Sequence, residues 1–155
     1  MDLAKVIKKE TIKLDMEATT KDEALIELVE LLYENNKISD KEAFLKDVYY
    51  RESLGSTGIG EYIAIPHGKS KFVNKTSIAI GRTKKDIEWE TLDELPVRFI
   101  ILFAVTDEDK TSVHVRLLAK VASTLGNDDV CAKLLVAKTN EEILNIFSVG
   151  SVSGE

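Results

Sequence analysis

The stretch Val97–Val105 (VRFIILFAV) sets the tightest limit on the architecture of this chain. Only Arg98 interrupts its apolar run, and it falls well short of the roughly 18 residues needed to cross a bilayer. A strand apolar on both of its alternating sides has to be covered on both faces. The rest of the chain must therefore supply other strands beside it and helices above and below it.

Those elements are legible in order. Thr11 to Asp15 alternates polar and apolar, with Ile12 and Leu14 on one side and Thr11 and Lys13 on the other, as a half-buried strand would. Thr19 or Thr20 caps a helix beginning near Lys21, with Asp22 and Glu23 suited to its positive end. Leu25, Leu28, Val29 and Leu32 fall at i, i+3, i+4 and i+7 and mark its buried face, and Asn35-Asn36 ends it. Ser39 or Asp40 caps a second helix with Phe44, Leu45 and Val48 as its apolar stripe, and this helix delivers Arg51 to a glycine-rich loop. Ser77–Gly81 reads as a short apolar strand and Ile87–Trp89 as an edge strand or strand end, with Leu95-Pro96 marking entry to the central strand. A helix from about Ser112 to Leu125, closed by Gly126-Asn127, precedes helical segments at Asp129–Ala137 and Glu141–Phe147, the last capped at Thr139-Asn140. The pattern implies an α/β fold, a three-layer sandwich with a mixed sheet flanked by helices on both faces. Residues 1–150 read as a single domain and 151–155 as a short flexible tail.

Composition removes several function classes. Apolar residues at 44% beside 31% charged residues are ordinary for a globular domain. A net charge of −6 argues against nonspecific nucleic-acid binding, which draws on phosphate neutralisation by Lys and Arg. No signal-peptide apolar region opens the chain, and the one cysteine, Cys131, precludes an internal disulfide, so a cytoplasmic protein without membrane insertion is expected. Cys131 itself reads as a small buried residue on a helix.

The chemistry concentrates in Arg51–Gly68, RESLGSTGIGEYIAIPHG. His67 lies between Pro66 and Gly68 at the end of Ile63-Ala64-Ile65. Pro66 fixes its own φ and biases Ile65 toward an extended conformation, which stiffens the approach to the histidine. Gly68, lacking a Cβ, allows a sharp turn after it and the close approach of another group. Upstream, Gly55, Ser56, Thr57, Gly58 and Gly60 form a loop whose backbone N–H groups can cradle an anion, phosphate above all. A surface loop histidine or half of a metal site is the plainer alternative. Metal binding finds no support in ligand spacing, because two distant histidines and one cysteine give no ligand set. The loop lacks the Gly-Lys-Ser/Thr ending of a nucleotide P-loop, a dinucleotide fingerprint and a Gly-x-Ser-x-Gly elbow.

These residues resemble the phosphohistidine signature of the fructose/mannitol (type 2) family of enzyme IIA domains in the bacterial sugar phosphotransferase system. Glu52 stands at the leading acidic position, Ile59-Gly60 at the aliphatic-glycine pair, and Ile63-Ala64-Ile65-Pro66-His67-Gly68 at the closing run. Tyr62 departs from the pattern, since relatives often carry glycine there, and bears on partner preference. The resemblance extends over nearly the whole chain and implies the same layered fold.

The resemblance also implies roles. His67 would accept a phosphoryl group on Nε2 from phospho-HPr and pass it to a cysteine of enzyme IIB, with no cofactor and no metal. Such transfer relies on positioning and charge neutralisation. His114 completes an apolar row with Leu117, Leu118 and Val121 near a helix start, where a histidine is more often a satisfied structural residue. The family carries a second active-site histidine in a similar His-x-x-x-Leu-Ala helix, and places an arginine where Arg51 stands, so both would stabilise phosphate. Ser56, Thr57, Gly58, Gly60 and Gly68 would form the phosphate loop. The domain would work in the cytoplasm beside a membrane permease complex, with fructose-type uptake as the first reading. Two alternatives remain: a regulatory phosphoacceptor similar to nitrogen-type enzyme IIA proteins, which signals by protein binding, and a ligand-binding or structural α/β module.

Overall fold

The computed structural model describes residues 3–108 and 113–153. After a 3₁₀ turn at Leu3–Lys5 come β1 (Ile7–Met16), α1 (Lys21–Glu34), α2 (Lys41–Ser53), β2 (Gly58–Gly60), β3 (Ile63–Ala64), β4 (His67–Ser70), β5 (Ser77–Ile87), β6 (Val97–Thr106), α3 (Val113–Leu125), α4 (Asp128–Val136) and α5 (Asn140–Ser153). The six strands form one mixed sheet in the order β1-β5-β6-β3-β2, with β4 also paired to β6. β1 runs parallel to β5, β5 antiparallel to β6, and β3 and β4 both parallel to β6.

β6 organises the layers as its sequence requires. Ile100, Leu102 and Ala104 pack with Leu25, Leu28, Phe44 and Val48 under α1 and α2. The alternate residues Phe99, Ile101, Phe103 and Val105 pack with Leu117, Val121, Leu134, Ile143 and Phe147 under α3, α4 and α5. This is the expected three-layer α/β sandwich.

Caps fix where helices start. Thr20 accepts the Glu23 N–H to open α1, Asp40 accepts that of Ala43 to open α2, and Asn127 accepts those of Asp129 and Val130 to open α4. The hydroxyl of Thr139 accepts the Glu142 N–H at 3.1 Å at the start of α5. Three extents differ from the sequence pattern. β1 begins at Ile7, and its alternation breaks because the register slips between Ile7 and Ile12, turning Thr11 inward to donate its hydroxyl to the Ile78 carbonyl at 2.8 Å. β5 continues past Gly81 through exposed Lys84 to Asp86, because its partner β6 extends the ladder to the Ile87–Val97 pair. α5 passes Phe147 and includes residues 151–153, assigned by the sequence pattern to a tail; no proline stops it. Among the described residues no helix is long and apolar enough to cross a membrane.

Candidate phosphoryl-acceptor site

β3 and β4 lie end to end along the same flank of β6, opposite Phe99-Ile100 and Phe103–Thr106 respectively. The chain leaves the ladder between them at Ile65-Pro66. Proline has no N–H to offer a neighbouring strand. The Ile65 N–H turns away to the Thr57 carbonyl at 2.9 Å, while the Pro66 carbonyl accepts from Phe103 N at 3.0 Å. His67 therefore opens β4 at a point held on both sides, and its side chain stays half-buried rather than sealed.

Gly68 does not begin a turn; it continues β4. A Cβ built there would stand 2.8 Å from Val48 Cγ2 and 3.0 Å from Phe44 Cε1, so the close approach that glycine permits is by α2. Successive strand residues face opposite ways. With Gly68 against α2, the His67 ring lies on the face covered by α3, α4 and α5.

Arg51, in the last turn of α2, reaches this ring from the other layer. Its Nε–H donates to His67 Nε2 at 2.9 Å and its Nη1 donates to the Gly55 carbonyl at 3.0 Å. Since arginine only donates, Nε2 must carry a lone pair. The opposite nitrogen, Nδ1, lies 3.3 Å from the Ile65 carbonyl, which only accepts, so Nδ1 holds the proton. The imidazole is thus presented as a neutral ring with Nε2 nucleophilic and its tautomer set by backbone.

The glycine-rich loop is pinned to residues 90–93, which lie between β5 and β6. The Ser56 hydroxyl donates to the Glu90 carbonyl and accepts the Gly58 N–H at 3.2 Å. The Leu92 N–H reaches the Gly58 carbonyl at 3.1 Å, and the Glu61 N–H reaches Asp93 Oδ2 at 3.0 Å. That backbone donor, more than any other partner, holds the Asp93 carboxyl below its ordinary range. Gly58 and Gly60 are buried in β2, and a Cβ at Gly58 would come within 2.4 Å of the Glu90 carbonyl. Thr57 is buried as well and donates its hydroxyl to Glu52 Oε2 at 2.7 Å. Of the loop residues, Gly55 and Ser56 face solvent. The β2–β3 connection is a two-residue hairpin in which Glu61 and Tyr62 have φ of 56° and 66°. Such hairpins favour residues that accept a left-handed backbone, glycine above all, so Tyr62 is held in a conformation that its side chain disfavours.

His114 belongs to the first turn of α3, and its side chain lies outside the described residues. Arg51, His67 and the loop are brought together; Gly58, Gly60 and Gly68 enter through packing. The sequence reading missed Glu90 and Asp93 as anchors of the loop, and nothing in ETLDEL distinguishes them from an ordinary polar connection. Cys131 is buried, its Sγ donates to the Leu125 carbonyl at 3.2 Å, and burial pushes its thiol pKa up, as expected of an unreactive residue.

Comparison with known proteins bears on the whole chain. The family model described as phosphoenolpyruvate-dependent sugar phosphotransferase system, EIIA 2, matches residues 5–149. The fructose-specific EIIABC component of Bacillus subtilis is 34% identical over 148 residues, covering 96% of this chain and 23% of that protein. The chain thus spans about a quarter of that multi-component relative. A nitrogen regulatory protein of Klebsiella oxytoca is 30% identical and is matched over 100% of this chain and 95% of its own length. The crystal structure of nitrogen regulatory protein IIA-Ntr from Neisseria meningitidis superimposes with a TM-score of 0.86 at 29% identity, covering 94% of this chain and 98% of that one.

Proposed function

Given that the chain belongs to the EIIA 2 family of the phosphoenolpyruvate-dependent sugar phosphotransferase system, we propose that it is a phosphocarrier whose acceptor atom is Nε2 of His67. The observation that carries this reading is the pairing of Arg51 Nε with Nε2 at 2.9 Å while Nδ1 faces the Ile65 carbonyl. In the proposed step the Nε2 lone pair attacks phosphorus on a phosphorylated HPr. A new N–P bond forms as the donor's N–P bond breaks, and that electron pair returns to the donor nitrogen. Arg51 must first yield the lone pair, after which its guanidinium is placed to take a phosphoryl oxygen. The proton stays on Nδ1, facing the Ile65 carbonyl, whose partial negative charge offsets the positive charge the ring acquires. His114, at the start of α3, is assigned a second phosphate contact on family resemblance, and Ser56, Thr57, Gly58, Gly60 and Gly68 the loop around it. The phosphoryl group then passes to a cysteine of enzyme IIB in a cytoplasmic exchange beside a membrane permease, with fructose favoured by the Bacillus subtilis relative.

The test is incubation with labelled phosphoenolpyruvate, enzyme I and HPr, followed by mapping of the modified residue. Acid-labile label at His67, lost in His67→Ala, is expected; stoichiometric label in that variant refutes the assignment. A second reading has its own support, since a nitrogen regulatory relative is matched nearly end to end. In that reading the same phosphohistidine governs protein binding and moves no sugar. Offering the phosphorylated chain to fructose-type IIB acceptors separates the two, because only the transport reading predicts discharge onto their cysteine.

A further inference from the structure

Glu52 takes no part in the step above, yet its carboxylate is nearly sealed from solvent beside the site. Its side chain is 6% exposed; Oε1 pairs with Lys21 Nζ at 2.7 Å and Oε2 accepts the Thr57 hydroxyl at 2.7 Å. A buried carboxylate persists only where its charge and lone pairs are met. Lys21 is itself held in place, 4.9 Å from the centre of the Trp89 ring and within 3.4 Å of the Glu90 carboxylate.

The path onward from Thr57 leads to the imidazole. The Thr57 carbonyl accepts the Ile65 N–H at 2.9 Å, and the Ile65 carbonyl is the group facing His67 Nδ1 at 3.3 Å. Glu52 also adjoins Arg51, whose Nε meets Nε2. One buried carboxylate is thus tied to both sides of the ring, by hydrogen bonds to the nitrogen that keeps the proton and by the chain to the arginine at the nitrogen that loses its lone pair to phosphorus. We infer that Glu52 is a positioning residue: anchored by Lys21, it fixes Thr57 and through it the Ile65 carbonyl, and so holds His67 in the tautomer with Nε2 as nucleophile. The inference rests on His67 being the acceptor. It gives the leading acidic position of the sequence motif a task that an ordinary fold-stabilising ion pair would not have.

Thr57→Val tests it with little change of shape, removing the hydroxyl donor while the carbonyl to Ile65 remains. The quantities to measure are kcat and KM with phospho-HPr as donor, the melting temperature, and the His67 tautomer by ¹⁵N chemical shifts in the unphosphorylated protein. Expected are an unchanged KM, a kcat lower by about 10- to 100-fold, and a smaller fraction of ring protonated at Nδ1. Thr57→Ser, which restores a donor, should recover most of the loss. Because both changes cut one link, Glu52→Gln should cost less in the Thr57→Val background than alone. A melting temperature that falls while kcat and tautomer stay as in the wild type overturns the inference and leaves Glu52 a purely structural charge. Failure of His67 as acceptor would show separately, as wild-type protein that takes no label there while the tautomer still responds to Thr57→Val.

Discussion

The two flanks of β6 are held by different physics. On one side β5 and β1 run for 11 and 10 residues, and their buried side chains are mostly apolar, Ile7, Ile12, Met16, Ile78 and Ile80 among them. On the other, β3 and β4 contribute 2 and 4 residues, interrupted at Ile65-Pro66. Nonspecific burial suffices for the long flank, because it scales with apolar area and needs no particular partner. The short flank depends on single interactions: an arginine on an imidazole, a threonine on a carboxylate, glycines that let backbone meet backbone. Its gap is what leaves His67 half open, since a continuous strand would have carried the ring into a closed ladder. Stability and reactivity are thus divided between the two sides of one strand.

The sharpest way to break that division is to damage the long flank alone. Ile80 is fully buried and lies between Ile12 of β1 and Ile101 of β6. Ile80→Ala should destabilise the fold by about 2–5 kcal/mol in denaturant titrations, while the rate of phosphoryl acceptance per folded molecule stays as in the wild type. A matching loss of that rate would mean that the flanks are coupled.

Gly68→Ala strikes the short flank and should show both effects. The added methyl group meets Val48 and Phe44 at 2.8 and 3.0 Å, and overpacking of that kind costs about 1–3 kcal/mol. Because Gly68 is the neighbour of His67, β4 cannot shift to relieve the clash without moving the ring, so phosphoryl acceptance should slow in molecules that remain folded. Tyr62→Gly should act in the opposite direction. It replaces a side chain held at φ 66° with the residue that tolerates it, for a gain of up to about 1 kcal/mol, and an unchanged or lower midpoint would show that Tyr62 earns its place by packing.

The same contrast explains what could be read from the sequence. α1 was legible to within its cap, since Thr20 and the Leu25, Leu28, Val29, Leu32 row are local signals. β6 was legible because burial on both faces leaves an apolar run. His67 was legible through its setting between Pro66 and Gly68 and Arg51 only through the family resemblance, and the structure joins them at 2.9 Å. The work of the glycines was not. Gly58 and Gly68 are small because Glu90 and Phe44 pack against them, contacts between segments with no local signature. The far end of β5 was hidden for a related reason: Lys84, Lys85 and Asp86 are exposed, so only backbone pairing marks them as strand.

Alkaline titration tests whether the layer above the short flank is tied together by side chains as well as by its core. The Tyr49 hydroxyl of α2 donates to Asp22 Oδ1 in the first turn of α1 at 3.0 Å. Burial, then this hydrogen bond to a carboxylate, pushes its pKa from 10.0 up to about 12. The folded protein therefore holds the phenolic proton more tightly than the unfolded chain, so unfolding releases a proton once the pH passes the unfolded value. The contribution of this group is whole below pH about 10 and is lost as the pH rises toward about 12. Tyr49→Phe should lower stability by a constant amount at neutral pH, and that deficit should shrink across the alkaline window as the wild type loses its advantage. A deficit that stays level throughout would mean that the hydroxyl titrates alike in both states, leaving apolar packing of α1 on α2 to hold this layer.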